Sequence, residues 1–217
     1  MEPLFRLRGV SFAYDHHRQV LADAAFELRQ GERVALAGPN GAGKTTLFHI
    51  MMGLLRPQTG EVEAFGTRRA REEDFIEVRG RAGLLFQDSD DQLFCPTVAE
   101  DVAFGPLNFG KTVAEARAIT RRTLASLGLE GFENRVTHRL SGGERRLVSL
   151  ATVLAMEPEV LLLDEPSNEL DAPTEERLIE IIEGLPQAIV VISHDESFLA
   201  RTTRRRCRLE RGRIVEG

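Results

Sequence analysis

The sequence predicts an α/β protein whose core is a parallel sheet. Short runs of apolar residues recur along the chain at 34–37, 83–86, 160–163 and 188–192. Runs of this length without alternation are typical of strands that are buried on both faces. Between them lie longer segments whose apolar residues recur every three or four positions, which indicates helices. Strands of this kind separated by helices predict a parallel sheet with helices packed against it.

The first of these strands leads into a glycine-rich loop. Its sequence is Gly38-Pro39-Asn40-Gly41-Ala42-Gly43-Lys44-Thr45-Thr46. Beyond the loop, Leu47, Ile50, Met51 and Leu54 have the spacing of one face of a helix. The order of strand, loop and helix around Gly-x4-Gly-Lys-Thr predicts a phosphate-binding loop. The alternative is a glycine-rich turn that only caps the helix.

The chemistry of such a loop follows from its residue types. Glycines let successive backbone N–H groups converge on one point, and the helix N-terminus adds a partial positive charge, so an anion is held there. Lys44 is then expected to reach the outer phosphates, and the Thr45 hydroxyl to ligate magnesium. Lys44 and Lys111 are the two lysines of a chain rich in arginine. A featureless surface position would favour arginine.

Polar residues follow three of the other predicted strands. Asp164 and Glu165 come directly after 160–163, and the carboxyl ends of parallel strands are where open α/β sheets bind ligands. Asp164 is the predicted second anchor of the magnesium ion, and Glu165 the group that takes a proton from the attacking water. A helix-start pair is the alternative, but carboxylates at the end of an apolar strand are costly without a cation to face.

Position alone leaves two interpretations open for each of three other residues. His194 contacts the transferred phosphate or the attacking water, or it is a structural histidine. Gln87 lies at a ligand-binding strand end, or it is a loop amide that satisfies backbone groups. Tyr14, the only tyrosine, ends an alternating strand, and it either stacks on a nucleotide base or packs in the core.

Residues 97–156 change character and are predicted to be helical. Three pairs fit the capping box of a helix start, namely Thr97 with Glu100, Thr112 with Glu115 and Ser141 with Glu144. The helix after Thr112 is expected to turn one face inward, formed by Val113, Ala116, Thr120, Leu124 and Leu127. Residues 67–81 are charged and predicted to be surface, whereas 207–216 predicts a hairpin.

The helix start at Ser141 carries two adjacent glycines, Gly142 and Gly143. Glycine costs a helix about 1 kcal/mol relative to alanine, which makes sense if an anion must approach the backbone there. We therefore predict a second phosphate-contacting element, with an ordinary capped helix as the alternative. Because this element lies far along the chain from the first glycine loop, the two are expected to meet across a dimer.

Composition and charge narrow the class of protein. Of 217 residues, 42% are hydrophobic and 29% charged, as in ordinary globular domains. A net charge of −6 argues against nucleic acid as the main partner. Apolar runs fall short of the roughly 18–20 residues of a membrane span, and residues 1–6 lack a signal-peptide pattern. Cys95 and Cys207 lack metal-ligand spacing, so reduced thiols in the cytoplasm are expected.

These motifs resemble those of the ATP-binding cassette (ABC) ATPase family along essentially the whole chain. Six segments match its motifs. Residues 38–46 match Walker A, Gln87 the Q-loop, 140–144 the signature, 161–165 Walker B, 170–171 the D-loop and His194 the H-loop. The resemblance implies one P-loop NTPase domain over 1–217, with a parallel-sheet core, an N-terminal antiparallel β subdomain and a helical subdomain. The nucleotide-binding core is expected at about 1–86 and 145–217, and the helical subdomain at about 87–144.

The resemblance also implies roles that the residues alone leave open. Tyr14 would stack on adenine, while Gln87 would join Thr45 and Asp164 at the magnesium ion and act in catalysis beside Glu165 and His194. Two copies of the chain, or the chain and a paralogue, would close head to tail over two ATP molecules. Each ATP would lie between one Walker A loop and the other subunit's signature, which here is Ser141, Gly142, Gly143 and Glu144.

Residues 87–94 and 97–106 resemble the energy-coupling-factor importers, and among them the cobalt/nickel (CbiO-type) ATPases. That resemblance implies uptake of cobalt or nickel through membrane-embedded subunits, docked in the groove near Gln87 to Gly105. The chain would then sit peripherally on the cytoplasmic face of the cell membrane. A vitamin-type importer and a soluble ABC ATPase without a transport role are the alternatives.

Two residues depart from the family pattern. Glu144 ends the signature where glutamine is usual, which is expected to add negative charge near a phosphate site. Glu169 stands where a glycine commonly precedes Leu170-Asp171, which puts the expected geometry of the D-loop in question.

Overall fold

The computed structural model describes residues 2–14 and 19–217, which form two sheets and seven α-helices. The strands are β1 Phe5–Ala13, β2 Gln19–Leu28, β3 Arg33–Ala37, β4 Thr59–Ala64, β5 Thr67–Arg69, β6 Ala82–Leu85, β7 Val160–Asp164, β8 Ala188–Ile192, β9 Arg205–Glu210 and β10 Arg213–Glu216. The helices are α1 Lys44–Met51, α2 Asp74–Arg81, α3 Val98–Asn108, α4 Val113–Ser126, α5 Gly142–Leu154, α6 Ala172–Gly184 and α7 Glu196–Thr202.

The larger sheet confirms the predicted parallel core. Its strand order is β10-β9-β3-β8-β7-β6, and every neighbouring pair is parallel except the terminal hairpin of β9 and β10. All five residues of β7 and of β8 are buried, as their unbroken apolar runs predict. The carboxyl ends of β3, β6, β7 and β8 therefore meet along one edge of the sheet.

The strand β7 faces two separate cores. Leu162 packs in a core shared with the antiparallel sheet β2-β1-β4-β5 and with α1, whereas Leu161 and Leu163 pack in a core shared with helices α3 to α7. Successive side chains of a strand point to opposite faces, so each apolar residue of this strand packs in one of the two cores. The antiparallel sheet confirms the predicted N-terminal β subdomain.

The three predicted capping boxes are all present, at the starts of α3, α4 and α5. In each, the N-cap hydroxyl accepts from the N3 backbone N–H, and the N3 glutamate accepts from the N-cap backbone. The inward face predicted for α4 is wrong at Val113, which is 60% exposed, because this first helical residue lies beyond the packed part of the helix. Since α5 runs across residues 144 and 145, the subdomain boundary placed there remains a prediction.

One prediction at α1 is wrong, and the prediction for residues 67–81 holds only in part. The helix ends at Met51, and Leu54 is 47% exposed rather than on its inner face. Gly53 adopts a left-handed conformation with a φ of 69°, where the ring of Phe75 leaves no room for a Cβ. Phe75 and Val78 are themselves buried. The charged stretch 67–81 is therefore not simply surface, because β5 and α2 cover this part of the core.

Within residues 2–14 and 19–217, no helix has both the length and the apolar character needed to cross a bilayer.

Candidate functional site

The glycine loop between β3 and α1 is shaped by its neighbours. Gly38 has a φ of 149°, and a Cβ there would lie 2.6 Å from the carbonyl oxygen of Leu209 in β9. Gly43 has a φ of 105°, and its Cβ would lie 2.4 Å from the Val20 side chain in β2. Both positions combine a left-handed backbone with close approach, so they require glycine. Strands from both sheets thus hold the loop in place.

The N-terminus of α1 is open to an anion. Among the described residues no side chain caps it, and its first turn contains no acidic residue. Lys44, which is buried, donates from Nζ to the carbonyl oxygens of Gly38 at 2.8 Å and Pro39 at 3.2 Å. Burial lowers the pKa of Lys44, while Glu165 and Asp164 oppose that shift. The loop therefore joins the positive end of a helix to a lysine that folds back on it.

Asp164 has the environment of a metal ligand. It ends β7, is 2% exposed, and its Oδ2 accepts a hydrogen bond of 2.7 Å from Thr45 Oγ1. Its Oδ1 is buried without a hydrogen-bond partner in the described part of the chain, and burial raises the pKa of the carboxyl. An orphaned carboxylate oxygen beside a hydroxyl suits a hard cation such as magnesium. The residues present therefore fit Mg²⁺.

Glu165 follows in a strained conformation. Its φ is 45°, in the left-handed region that costs an ordinary residue about 1–3 kcal/mol. Its backbone N–H donates to the carbonyl of Ile192 at 2.9 Å, and its Oε1 lies 3.3 Å from Nε2 of His194. Burial raises the pKa of Glu165, and His194 opposes that rise. The turn thus places a half-buried carboxylate of raised basicity next to an imidazole.

A cavity of about 550 Å³ joins these groups at the carboxyl edge of the sheet. Most of the predicted site residues line it, namely Tyr14, Asn40, Gly41, Gly43, Lys44, Thr45, Thr46, Gln87, Asp164, Glu165 and His194. Tyr14 is 60% exposed, and its hydroxyl lies 3.0 Å from Thr46 Oγ1. That exposure rules out the core alternative for Tyr14, whose ring lies at the rim of the cavity.

The signature residues are not part of this lining. Gly142 lines a neighbouring cavity of about 410 Å³, together with Gln87, Asp164 and Thr45. Gln87 and Asn168 border both cavities. Asn168 was not expected from the sequence. The two cavities therefore meet at the Gln87 loop and at the end of β7.

The two signature glycines differ in their surroundings. A Cβ at Gly143 would lie 2.8 Å from the Thr174 methyl group of α6, whereas one at Gly142 would meet nothing within 4 Å. Helix packing within the chain therefore accounts for Gly143. The expectation that a ligand approaches the backbone applies to Gly142 alone.

The two departures from the family pattern are accommodated locally. Glu144 accepts from the Ser141 backbone N–H at 2.8 Å and from Arg135 Nη1 at 2.7 Å, and these contacts lower its pKa. Its charge is therefore paired within the chain rather than added unopposed to a phosphate site. Glu169 adopts a φ of 60°, so the left-handed backbone expected of glycine is kept with glutamate in place.

The sequence reasoning missed Arg146, a buried cation on α5 that is 3% exposed. Its pair with Arg145 looks like a solvated charge run. A signal was present, because Arg146, Leu150 and Val153 fall at i, i+4 and i+7, the spacing of one helix face. Both leucine and valine on that face are buried.

Comparison with known proteins identifies the family. A family model described as ABC transporter matches residues 21–168, more than half of the chain. An ABC transporter ATP-binding protein of Brucella suis is 49% identical, over 99% of this chain and 89% of that protein. The cobalt import ATP-binding protein CbiO of Rhodobacter capsulatus is 42% identical, over 99% and 78%. The energy-coupling factor transporter ATP-binding protein EcfA of Methanothermobacter thermautotrophicus is 40% identical, over 98% and 70%.

Solved structures of ABC ATPases have the same fold as this chain. CbiO1 from Clostridium perfringens, part of an ABC transporter complex, superposes with a TM-score of 0.87 at 29% identity, covering 99% of this chain and 88% of that one. The dimer of a bacterial ABC transporter cassette gives a TM-score of 0.86 at 26% identity, covering 97% and 96%. A post-hydrolysis structure of that cassette holds ADP and phosphate.

The chain therefore belongs to the ABC transporter family, as an ATP-binding and ATP-hydrolysing cassette. Within the family it is of the energy-coupling-factor type.

Proposed function

We propose that this ATPase powers an energy-coupling-factor importer for a transition-metal ion, cobalt or nickel, through membrane-embedded partner subunits. The observation that supports ATP hydrolysis as the source of energy is the 550 Å³ cavity, which is lined by the glycine loop together with Asp164 and Glu165. Similarity to a cobalt import ATP-binding protein supports a transition-metal ion as the transported substrate. A vitamin-type importer is the second candidate, because the EcfA relative, 40% identical, is named only as an energy-coupling factor transporter protein and its name specifies no substrate. In this role the chain lies peripherally on the cytoplasmic face of the cell membrane.

Within the cavity, each group has a proposed task. Lys44 and the backbone N–H groups of the loop bind the phosphates, and Tyr14 stacks on the base. Thr45 and Asp164, with Gln87, would hold Mg²⁺, which when bound neutralises charge on the phosphates. Glu165 accepts a proton from the attacking water, a role favoured by its raised basicity. His194, 3.3 Å away, orients that carboxylate and faces the transferred phosphate.

The second phosphate contact is proposed to come from another subunit. Ser141, Gly142, Gly143 and Glu144 do not line the nucleotide cavity of their own chain, and Gly142 is open on its outer side. A head-to-tail dimer, of two copies or with a paralogue, would bring this helix start to the partner's ATP. The dimeric cassette of similar fold supports dimerisation.

The membrane partner is proposed to dock along residues 87–105. In this segment Phe94 is 64% exposed and Phe104 46% exposed, and their rings meet edge to face at 4.8 Å. Exposed aromatic side chains in one patch are typical of protein interfaces. An amphipathic segment of a membrane subunit fits this surface.

Reconstitution tests the proposal. The chain and its membrane subunits are placed in proteoliposomes, and ATP-driven uptake of cobalt, nickel and vitamins is measured, with Glu165→Gln as the control that binds ATP without turnover. Uptake of cobalt or nickel by the wild type alone is expected. Vitamin uptake without metal uptake would overturn the proposed ion, and the absence of ATP-driven uptake of any substrate would overturn the transport role.

A further inference from the structure

We propose that Arg146 is a positioning residue that joins the catalytic ends of β7 and β6 to the signature helix α5. The inference rests on the proposed roles of Asp164, Glu165 and Gln87 and deepens them. Arg146 maintains the geometry of these three side chains and couples it to the position of the signature helix.

The Arg146 guanidinium is enclosed by main-chain carbonyl groups. All five of its N–H donors are used. Nε donates to the carbonyl of Pro166 at 2.8 Å, Nη2 to those of Asp164 and Glu165 at 2.8 Å each, and Nη1 to those of Phe86 at 2.5 Å and Gln87 at 3.3 Å. Burial lowers the pKa of Arg146 to about 10, so the group stays charged at neutral pH.

These carbonyl groups belong to the backbone segments that carry the proposed catalytic side chains. Three belong to the consecutive residues 164–166, which include the left-handed Glu165, and two to residues 86–87. A strained backbone persists only where its surroundings over-determine it. One rigid, planar cation that binds both strand ends fixes them relative to each other. The carboxylates of Asp164 and Glu165 and the amide of Gln87 thereby keep a constant separation.

Phe86, the residue before Gln87, is also held through its backbone N–H. The Phe86 backbone N–H donates to Gln92 Oε1 at 3.2 Å, and Gln92 Nε2 donates to the Ser149 carbonyl and to Thr152 Oγ1, each at 2.8 Å. Both of those acceptors lie on α5. The same helix therefore contacts both backbone groups of Phe86, the carbonyl through Arg146 and the N–H through Gln92, so a displacement of α5 is passed to the magnesium-binding edge.

The test measures metal binding without turnover. For the wild type, Arg146→Met, Arg146→Lys and the control Arg145→Met, thermal shifts with a saturating non-hydrolysable ATP analogue are followed as Mg²⁺ is titrated, and ATP binding is measured separately in EDTA. Arg145 is a suitable control because it is the neighbouring cation and pairs with the exposed Asp90 at 3.5 Å. Lysine keeps the charge, but its single ammonium has three donors for five carbonyls.

Both Arg146 variants are expected to need about tenfold more Mg²⁺ for half of the shift, as for the loss of a partner that orients metal ligands. Their ATP affinity in EDTA should stay within about twofold of the wild type, because Lys44 and the glycine loop do not touch Arg146. A purely structural role would lower every melting temperature and leave the Mg²⁺ midpoint unchanged. That result in the folded Arg146→Lys protein overturns the inference, whereas a wild type that binds no ATP would overturn the proposed function instead.

Discussion

Two helices of this chain begin at glycine-rich turns, and they differ in what lies in front of them. The helix α1 starts at Gly43 without an acidic residue in its first turn, and Lys44 and Asp164 complete its surroundings within the chain. The helix α5 starts at a closed capping box, and it carries Glu144 in its first turn. One helix start is prepared for an anion by its own chain, whereas the other has already satisfied part of its hydrogen-bonding capacity.

In the proposed dimer, this difference divides one phosphate site between two subunits. The first start provides a lysine, a hydroxyl and a buried carboxylate, which suffice to hold a phosphate and a metal ion. The second provides a hydroxyl and one open glycine, which suffice only to add to an anion that is already held. ATP would therefore bind first at α1, and α5 of a partner would close over it. Changes at α1 should affect binding and chemistry, and changes at α5 should affect closure.

The largest effect is expected from Glu165→Gln. Removing the proposed general base should slow hydrolysis by about 10²- to 10⁴-fold, while ATP still binds, because Glu165 is not a phosphate ligand in the proposed site. Steady-state phosphate release and equilibrium binding of a fluorescent ATP analogue measure the two quantities. Turnover at the wild-type rate would remove Glu165 from this role.

Lys44→Ala should come next in size. A hydrogen bond to a charged group contributes about 1.5–3 kcal/mol, so ATP affinity should fall about 10- to 100-fold. The control is Lys111→Ala, which removes the other lysine of the chain from an exposed position. Unchanged nucleotide affinity in Lys44→Ala, measured by calorimetry, would contradict the assignment of α1 as the primary phosphate site.

The two signature glycines provide a matched pair of smaller changes. Gly143→Ala brings a methyl group against Thr174, and overpacking of this kind costs about 1–3 kcal/mol of folding stability. Gly142→Ala faces open space and should leave the free energy of unfolding unchanged or raise it by up to about 1 kcal/mol. Urea denaturation of each variant measures both effects.

The same pair separates packing from closure. Thr174→Ser removes the clashing methyl and should restore much of the stability lost in Gly143→Ala. Gly142→Ala should instead weaken ATP-dependent dimerisation, measured by sedimentation in a Glu165→Gln background. If Gly142→Ala dimerised like its parent, the open glycine would have no part in closure, and the proposed role of α5 would fail.

Local sequence rules predicted the helix starts but not the contacts between distant segments. The capping boxes at Thr97, Thr112 and Ser141 depend on residues three positions apart, so the sequence alone is sufficient. The short apolar runs were likewise sufficient to predict the parallel sheet. The end of α1 at Met51 also has a local signal, because Gly53 lies just past it with a φ of 69°, and a left-handed glycine commonly ends a helix. The close approach of Phe75 to that glycine is the part without a local pattern.

The candidate site shows the same division. Most of the loop and strand-end residues fall in one cavity because carboxyl ends of parallel strands share one edge. The packing reason for Gly143 lies in Thr174, and the carbonyl cage of Arg146 is drawn from β6 and β7. A charged residue reads as solvated until the acceptors that surround it are known. Such long-range pairings are set by the fold and have no local pattern.

The smallest predicted effect concerns Glu144 and its partner Arg135. Glutamine can also complete a capping box, so Glu144→Gln should change the free energy of unfolding by less than about 1 kcal/mol. It removes a negative charge from the start of α5, where a charge at a helix end contributes about 0.3–1 kcal/mol. ATP-dependent dimerisation in the Glu165→Gln background should therefore tighten about two- to fivefold.

Arg135→Ala completes a double-mutant cycle on this pair. With Glu144 present, loss of Arg135 leaves the carboxylate unopposed, and dimerisation should weaken by a similar factor. With glutamine at 144 there is no charge to compensate, so the same change should have little effect. Equal effects in both backgrounds would show that Arg135 does not act through the carboxylate. The charge of Glu144 would then act on closure independently of Arg135.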